Sequence, residues 1–110
     1  MIIGVEHKNS VTVFHLRGKL NLDGCPVFEK TISTLPAGGK VLFDLAELDY
    51  VASAGLRLFL LAAKSLARTK GRLVLCSLTP NVAQIFKLAG FNTFLEIEAN
   101  RDTALAKLAS

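Results

Sequence analysis

Acidic residues are missing from a long central stretch. None lies between Tyr50 and Phe94, while Arg57, Lys64, Arg68, Lys70, Arg72 and Lys87 all do. The chain carries 13 Lys and Arg against 9 Asp and Glu, a net +4, so its basic excess is local. Long apolar runs are missing too. The longest, Leu58 to Ala63, falls far short of the roughly 20 residues of a membrane span. The start, Met1-Ile2-Ile3-Gly4-Val5, lacks the basic flank and apolar length of a signal peptide. Cys25 and Cys76 are the two cysteines, with no CxxC and no neighbouring histidine. Both read as reduced, packed thiols in a reducing compartment, not as metal ligands or a redox pair. Repeats, low-complexity tracts and linkers are absent. One soluble, cytoplasmic domain over residues 1–110, with no membrane insertion, is expected.

What is present suits a globular core. Hydrophobic residues make up 51% of the 110 and charged residues 20%, with mean hydropathy +0.42. That is too apolar for a disordered chain, and long enough to bury a core without disulfide or metal staples.

Ile2 to Glu6 and Val11 to Arg17 are rich in β-branched and apolar residues around a Lys8-Asn9-Ser10 turn, which predicts a hairpin. Asp23-Gly24 followed by Pro26 opens a helix striped by Phe28, Ile32 and Leu35, since proline is tolerated in a first helical turn. Val41-Leu42-Phe43 predicts a buried strand, followed by a loop bearing Asp44, Glu47 and Asp49. The strongest helix runs from about Ser53 to Thr69, with Leu56, Phe59, Leu60, Ala63 and Leu66 spaced three and four apart. Gly71 is placed to cap it in a left-handed conformation. Arg72 to Ser77 predicts a strand, Thr79-Pro80-Asn81 through Leu88 a helix closed by Gly90, Phe94 to Glu98 a strand, and Asp102 to Leu108 a helix. The order β-β-α-β-α-β-α-β-α predicts an α/β domain. Parallel strands with right-handed crossovers are expected through its second and third helices.

A serine stands where the acidic loop delivers the chain into the main helix. Ser53 is expected to be its N-cap, accepting from free N–H groups of the first turn. A plain cap is one reading. The other is a phosphate site: a phosphoryl group there would meet unpaired N–H groups and the positive end of the helix dipole, with Arg57 one turn on.

Asp44-Leu45, Tyr50-Val51 and Ser53-x-Gly55-Leu56 together resemble the STAS domain, the fold of bacterial anti-sigma factor antagonists. Gly18-Lys19-Leu20-Asn21 resembles the family's Gly-Glu-Leu-Asp region. Leu75 to Val82 resembles its late strand-to-helix turn, and Phe86 to Phe91 the helix that follows. The resemblance covers essentially the whole chain. It implies the STAS fold: a mixed, mainly parallel sheet of about five strands with about four helices packed on it.

It also implies partner switching without enzymatic activity or a cofactor. An unphosphorylated antagonist binds an anti-sigma factor that is a serine kinase. Phosphorylation of the serine aligned with Ser53 releases it, and a serine phosphatase resets it. The partner-binding positions implied are Lys19, Asn21, Ala52, Ser53, Ala54, Gly55, Leu56 and Arg57. The chain departs from the family pattern at four of them. Ala52 replaces the motif aspartate, Ala54 the second Ser/Thr, and Lys19 and Asn21 replace Glu and Asp. Complementary charge guides partner choice, so these changes point to a divergent partner. The alternative is a small STAS subunit docked on the ATPase of a lipid-transport ABC system, with no phosphoregulation.

Other constellations carry less. Val51 to Gly55 half resembles a nucleophile elbow but lacks its first glycine. His7 and His15, the only histidines, both fall in the opening hairpin, so no serine–histidine–acid set is expected. Asp44, Glu47 and Asp49 read as solvated residues rather than metal ligands, and no glycine-rich phosphate loop is present. Arg57, Lys64 and Arg68 fall on one face of the main helix: either its solvated side or a surface for an acidic partner. No aromatic interleaving accompanies the basic residues, so direct nucleic-acid binding is not expected.

Overall fold

The computed structural model describes residues 1–109. Strands β1 (Ile2–Lys8) and β2 (Val11–Leu20) form an antiparallel hairpin. Its turn places Asn9 at φ 57°, a left-handed conformation that asparagine tolerates better than most residues. Then follow α1 (Gly24–Ile32), β3 (Lys40–Val51), α2 (Ser53–Arg68), β4 (Arg72–Cys76), α3 (Pro80–Leu88), β5 (Glu96–Glu98) and α4 (Arg101–Ala109). The five strands lie in chain order, and every pairing after the hairpin is parallel.

Strand alternation sorts the helices onto the two faces of the sheet. Val41, Phe43 and Leu45 share one core with Phe28 of α1, Phe59 of α2 and Phe86 of α3. Leu42, Val74 and Cys76 point the other way and pack with Ala104 and Leu108 of α4. Phe59 is the hub of the larger core, its ring centroid 4.9 Å from Phe28, 6.0 Å from Phe43 and 5.3 Å from Phe86.

The structure corrects several boundaries. β3 runs unbroken through Asp44, Glu47 and Asp49, where a loop is expected from sequence. The reason is that β2 also continues, past Arg17 to Leu20, and pairs with it. Irregularities at His15/Arg17 and Gly18/Lys19 keep the two in step, with Gly18 at φ 101°. The carboxylates then find partners across the strand pair: Glu47 meets Arg17 at 2.7 Å, and Asp44 meets His15 at 3.5 Å.

α1 stops at Ile32, leaving Leu35 to pack on the core from outside the helix. On α2 the buried stripe includes Leu58 and Ala62, while Leu60 and Ala63 are half-buried. Its left-handed terminal residue is Lys70 (φ 62°), one position before Gly71. Phe91–Thr93 forms a single 3-10 turn, which shortens β5.

Candidate functional site

β2 and β3 end side by side, with Lys19 opposite Tyr50 and Leu20 opposite Val51. One further bond, from the Ala52 N–H to the Leu20 carbonyl at 2.9 Å, holds Ala52 in extended backbone (φ −77°, ψ 165°). The helix therefore starts at the next residue. Its first intrahelical bond runs from the Leu56 N–H to the Ala52 carbonyl at 3.0 Å.

Ser53 is thus the first helical residue of α2 and not its N-cap. The cap position belongs to Ala52, whose methyl group has no oxygen to offer, and no side chain caps the turn. Ser53 is exposed. The N–H groups of Ser53, Ala54 and Gly55 precede the first helical bond and have no partner within the helix. They gather the partial positive charge of the helix end around the Ser53 hydroxyl.

Gly55 and Leu56 are buried, whereas Lys19, Asn21, Ser53, Ala54 and Arg57 are exposed and Ala52 is intermediate. The eight positions therefore divide into a presenting set and a supporting pair. Asn21 has local work. Its carbonyl accepts from the N–H groups of Gly24 and Cys25 at 3.1 and 3.0 Å, and its Oδ1 accepts from Gly24 at 3.1 Å. It shapes the first turn of α1, the role short polar side chains play at turns. Cys25 sits in that turn, and burial pushes its thiol up, away from the thiolate form.

Beside Ser53, at the ends of β2 and β3, two exposed apolar residues are not singled out by the sequence: Leu22, 82% exposed in the β2–α1 loop, and Tyr50, 43% exposed at the end of β3. The signal for Leu22 is a leucine set between Asn21 and Asp23 in a polar turn. The start of α3 is tied to the same end of the sheet. The Thr79 hydroxyl donates to the Leu48 carbonyl at 3.0 Å, and Asn81 Nδ2 donates to the Asp49 carbonyl at 2.8 Å. These contacts make a surface of loops and helix starts at the carboxyl ends of β2 and β3, with Ser53 exposed upon it.

The sequence pattern of the STAS domain matches residues 3–104. The chain belongs to the STAS domain family. A relative from Bordetella bronchiseptica, BtrV, named as a candidate anti-sigma factor antagonist, is 45% identical over 108 residues, covering 96% of this chain and 93% of that protein. Among solved structures, an anti-sigma factor antagonist from Mycobacterium paratuberculosis superposes with a TM-score of 0.90 at 20% identity, covering 99% of this chain and 94% of that one. The unphosphorylated form of the antagonist SpoIIAA superposes at 0.81 with 21% identity, covering 98% and 96%. Identities this low establish the shared STAS fold, the mixed and mainly parallel five-stranded sheet with four helices.

Proposed function

We propose that this STAS domain is an anti-sigma factor antagonist. Its surface around Ser53 binds an anti-sigma factor that is itself a serine kinase, and phosphate on Ser53 ends the contact. The observation that carries the reading is an exposed Ser53 whose hydroxyl is not engaged in capping α2. A capping hydroxyl is held by the backbone; this one is open to an incoming phosphoryl donor. The names borne by similar proteins support the antagonist role.

The phosphoserine adds about −1.5 to −2 charge. The three free N–H groups at the start of α2 and the Arg57 side chain one turn on favour it there. Release of the partner follows from bulk and charge in the middle of the contact, without refolding. Dephosphorylation by a serine phosphatase restores binding. Lys19, Asn21, Ala52 and Ala54 leave this surface without the acids of the family pattern, so the kinase it fits presents fewer cations there.

The test is to incubate the chain with the histidine-kinase-like serine kinases of its own genome, reading binding and the site of phosphate uptake by mass spectrometry. Binding with phosphate on Ser53 is the expected result. Co-purification with a transport ATPase, indifferent to the Ser53 hydroxyl, would overturn the reading in favour of a structural subunit.

A further inference from the structure

Arg57, Leu61, Lys64 and Arg68 are spaced four, three and four apart on α2 and form one line along its exposed side. Leu61, a large apolar residue, is 47% exposed in the middle of that line. Among the described residues none of the three cations has an ion-pair partner. The absence of acids from Val51 to Thr93 explains why: nothing on α2, α3 or the turns between them can neutralise the line.

A shallow cavity of about 170 Å³ opens beside the C-terminal half of α2. Ala63 and Ala67 line it from α2, and Phe94 and Leu95 line it from the segment before β5. Phe94 is 69% exposed there. The carboxylate of Glu96, also at this cavity, pairs with Arg72 at 2.9 Å and with Lys107 at 3.6 Å, and forms no ion pair with Lys64 or Arg68.

From this juxtaposition we infer a second docking surface on α2: an acidic segment of the partner protein lies along Arg57, Lys64 and Arg68 and seats an apolar side chain between Ala63, Ala67 and Phe94. The inference rests on the antagonist reading, because the partner meant is the kinase that engages Ser53. The chemistry selects a protein over an anionic membrane. The cations form a single narrow line, and the apolar element on their flank is a recess between Ala63 and Ala67 on one side and Phe94 and Leu95 on the other, which fits a protruding side chain better than a bilayer surface. The line begins one turn from Ser53 and ends roughly 22 Å along the helix, at about 1.5 Å per residue. A partner reaching that far gains electrostatic steering from Lys64 and Arg68, which lie more than a Debye length along the helix from phosphate on Ser53, so these two charges set how fast the complex forms.

The kinase found with Ser53 serves as the probe, and association is followed by stopped flow at low and high salt. The wild-type association rate is expected to fall at least tenfold as salt rises. Lys64→Glu/Arg68→Glu is expected to lower the low-salt rate by tenfold or more, while Lys64→Arg/Arg68→Lys keeps it. Phe94→Ala is expected to speed dissociation and leave association unchanged. Both charge variants are at exposed positions, and circular dichroism verifies their fold. A charge-reversed variant that associates at the wild-type rate overturns this inference and leaves the antagonist reading intact. Capture of the wild type by phosphatidylglycerol vesicles, lost on charge reversal and without effect on the kinase, also overturns it. Failure of the wild type to bind any kinase overturns both.

Discussion

A Cβ added to Gly55 would stand 2.7 Å from both Cγ and Cδ2 of Leu20 and 3.1 Å from Cγ1 of Val51. Leu20 is fully buried at the end of β2, and its carbonyl holds Ala52 in place. The glycine of the Ser53-Ala54-Gly55 run is therefore a packing requirement. It lets α2 start tight against the end of β2, and so sets where Ser53 sits.

Gly55→Ala should destabilise the fold by about 1–3 kcal/mol, the usual penalty for overpacking a filled core. Leu20→Ala should cost about 2–5 kcal/mol through the cavity it leaves. In the double variant the new methyl group enters the space vacated by Leu20, so the double variant should cost less than the sum of the two single ones. Urea unfolding of the four proteins measures this coupling.

Thr79 links α3 to β3 through one hydroxyl, which accepts from the Val82 N–H at 3.4 Å and donates to the Leu48 carbonyl at 3.0 Å. Thr79→Ala removes an N-cap and leaves a carbonyl at the sheet end without its partner, a loss of about 1–2 kcal/mol. Thr79→Ser keeps both bonds and should recover most of that loss. Thermal melts of the two variants check the difference.

The ease of reading each element follows from how local its signal is. Thr79 and Pro80 announce α3 within two residues, and Asn9 marks the hairpin turn. The second half of β3 is different, because what makes it a strand lies about 30 residues earlier. Alone, Asp44 to Asp49 has the acidity of a loop. Beside β2, the same residues show Leu45 and Leu48 buried and Glu47 matched to Arg17. The place of Ser53 is hidden for the same reason. Capping chemistry favours serine over alanine at an N-cap, yet the strand-end bond from Ala52 to Leu20 makes Ala52 the cap and starts the helix at Ser53, one residue earlier than a Ser53 cap would. Leu22 and Tyr50 are legible as residues but not as exposed ones, since only the paired ends of β2 and β3 leave them uncovered.

Glu6 on β1 hydrogen-bonds to His15 at 2.7 Å and pairs with Arg101 at the start of α4. The bond to His15 first, then that to Arg101, holds its carboxyl below the ordinary value of 4.5. A carboxyl with a depressed folded value adds stability that is fully present above about 4.5 and is lost as pH falls through the folded value. The melting temperature should therefore drop as pH is lowered below 4.5, and Glu6→Gln should flatten that drop while lowering the melting temperature near neutrality. Scanning calorimetry from pH 3 to 7 on both proteins is the check.

In the proposed function Ser53 is the switch of a docking surface. Calorimetric titration of the kinase with the wild type, Ser53→Ala and Ser53→Glu tests it most directly. Ser53→Ala is expected to bind within about twofold of the wild type and to take up no phosphate. Ser53→Glu is expected to bind at least tenfold more weakly, a loss of about 1.4 kcal/mol or more. Equal affinity for wild type and Ser53→Glu, with undiminished phosphate uptake by Ser53→Ala, would contradict that role of Ser53.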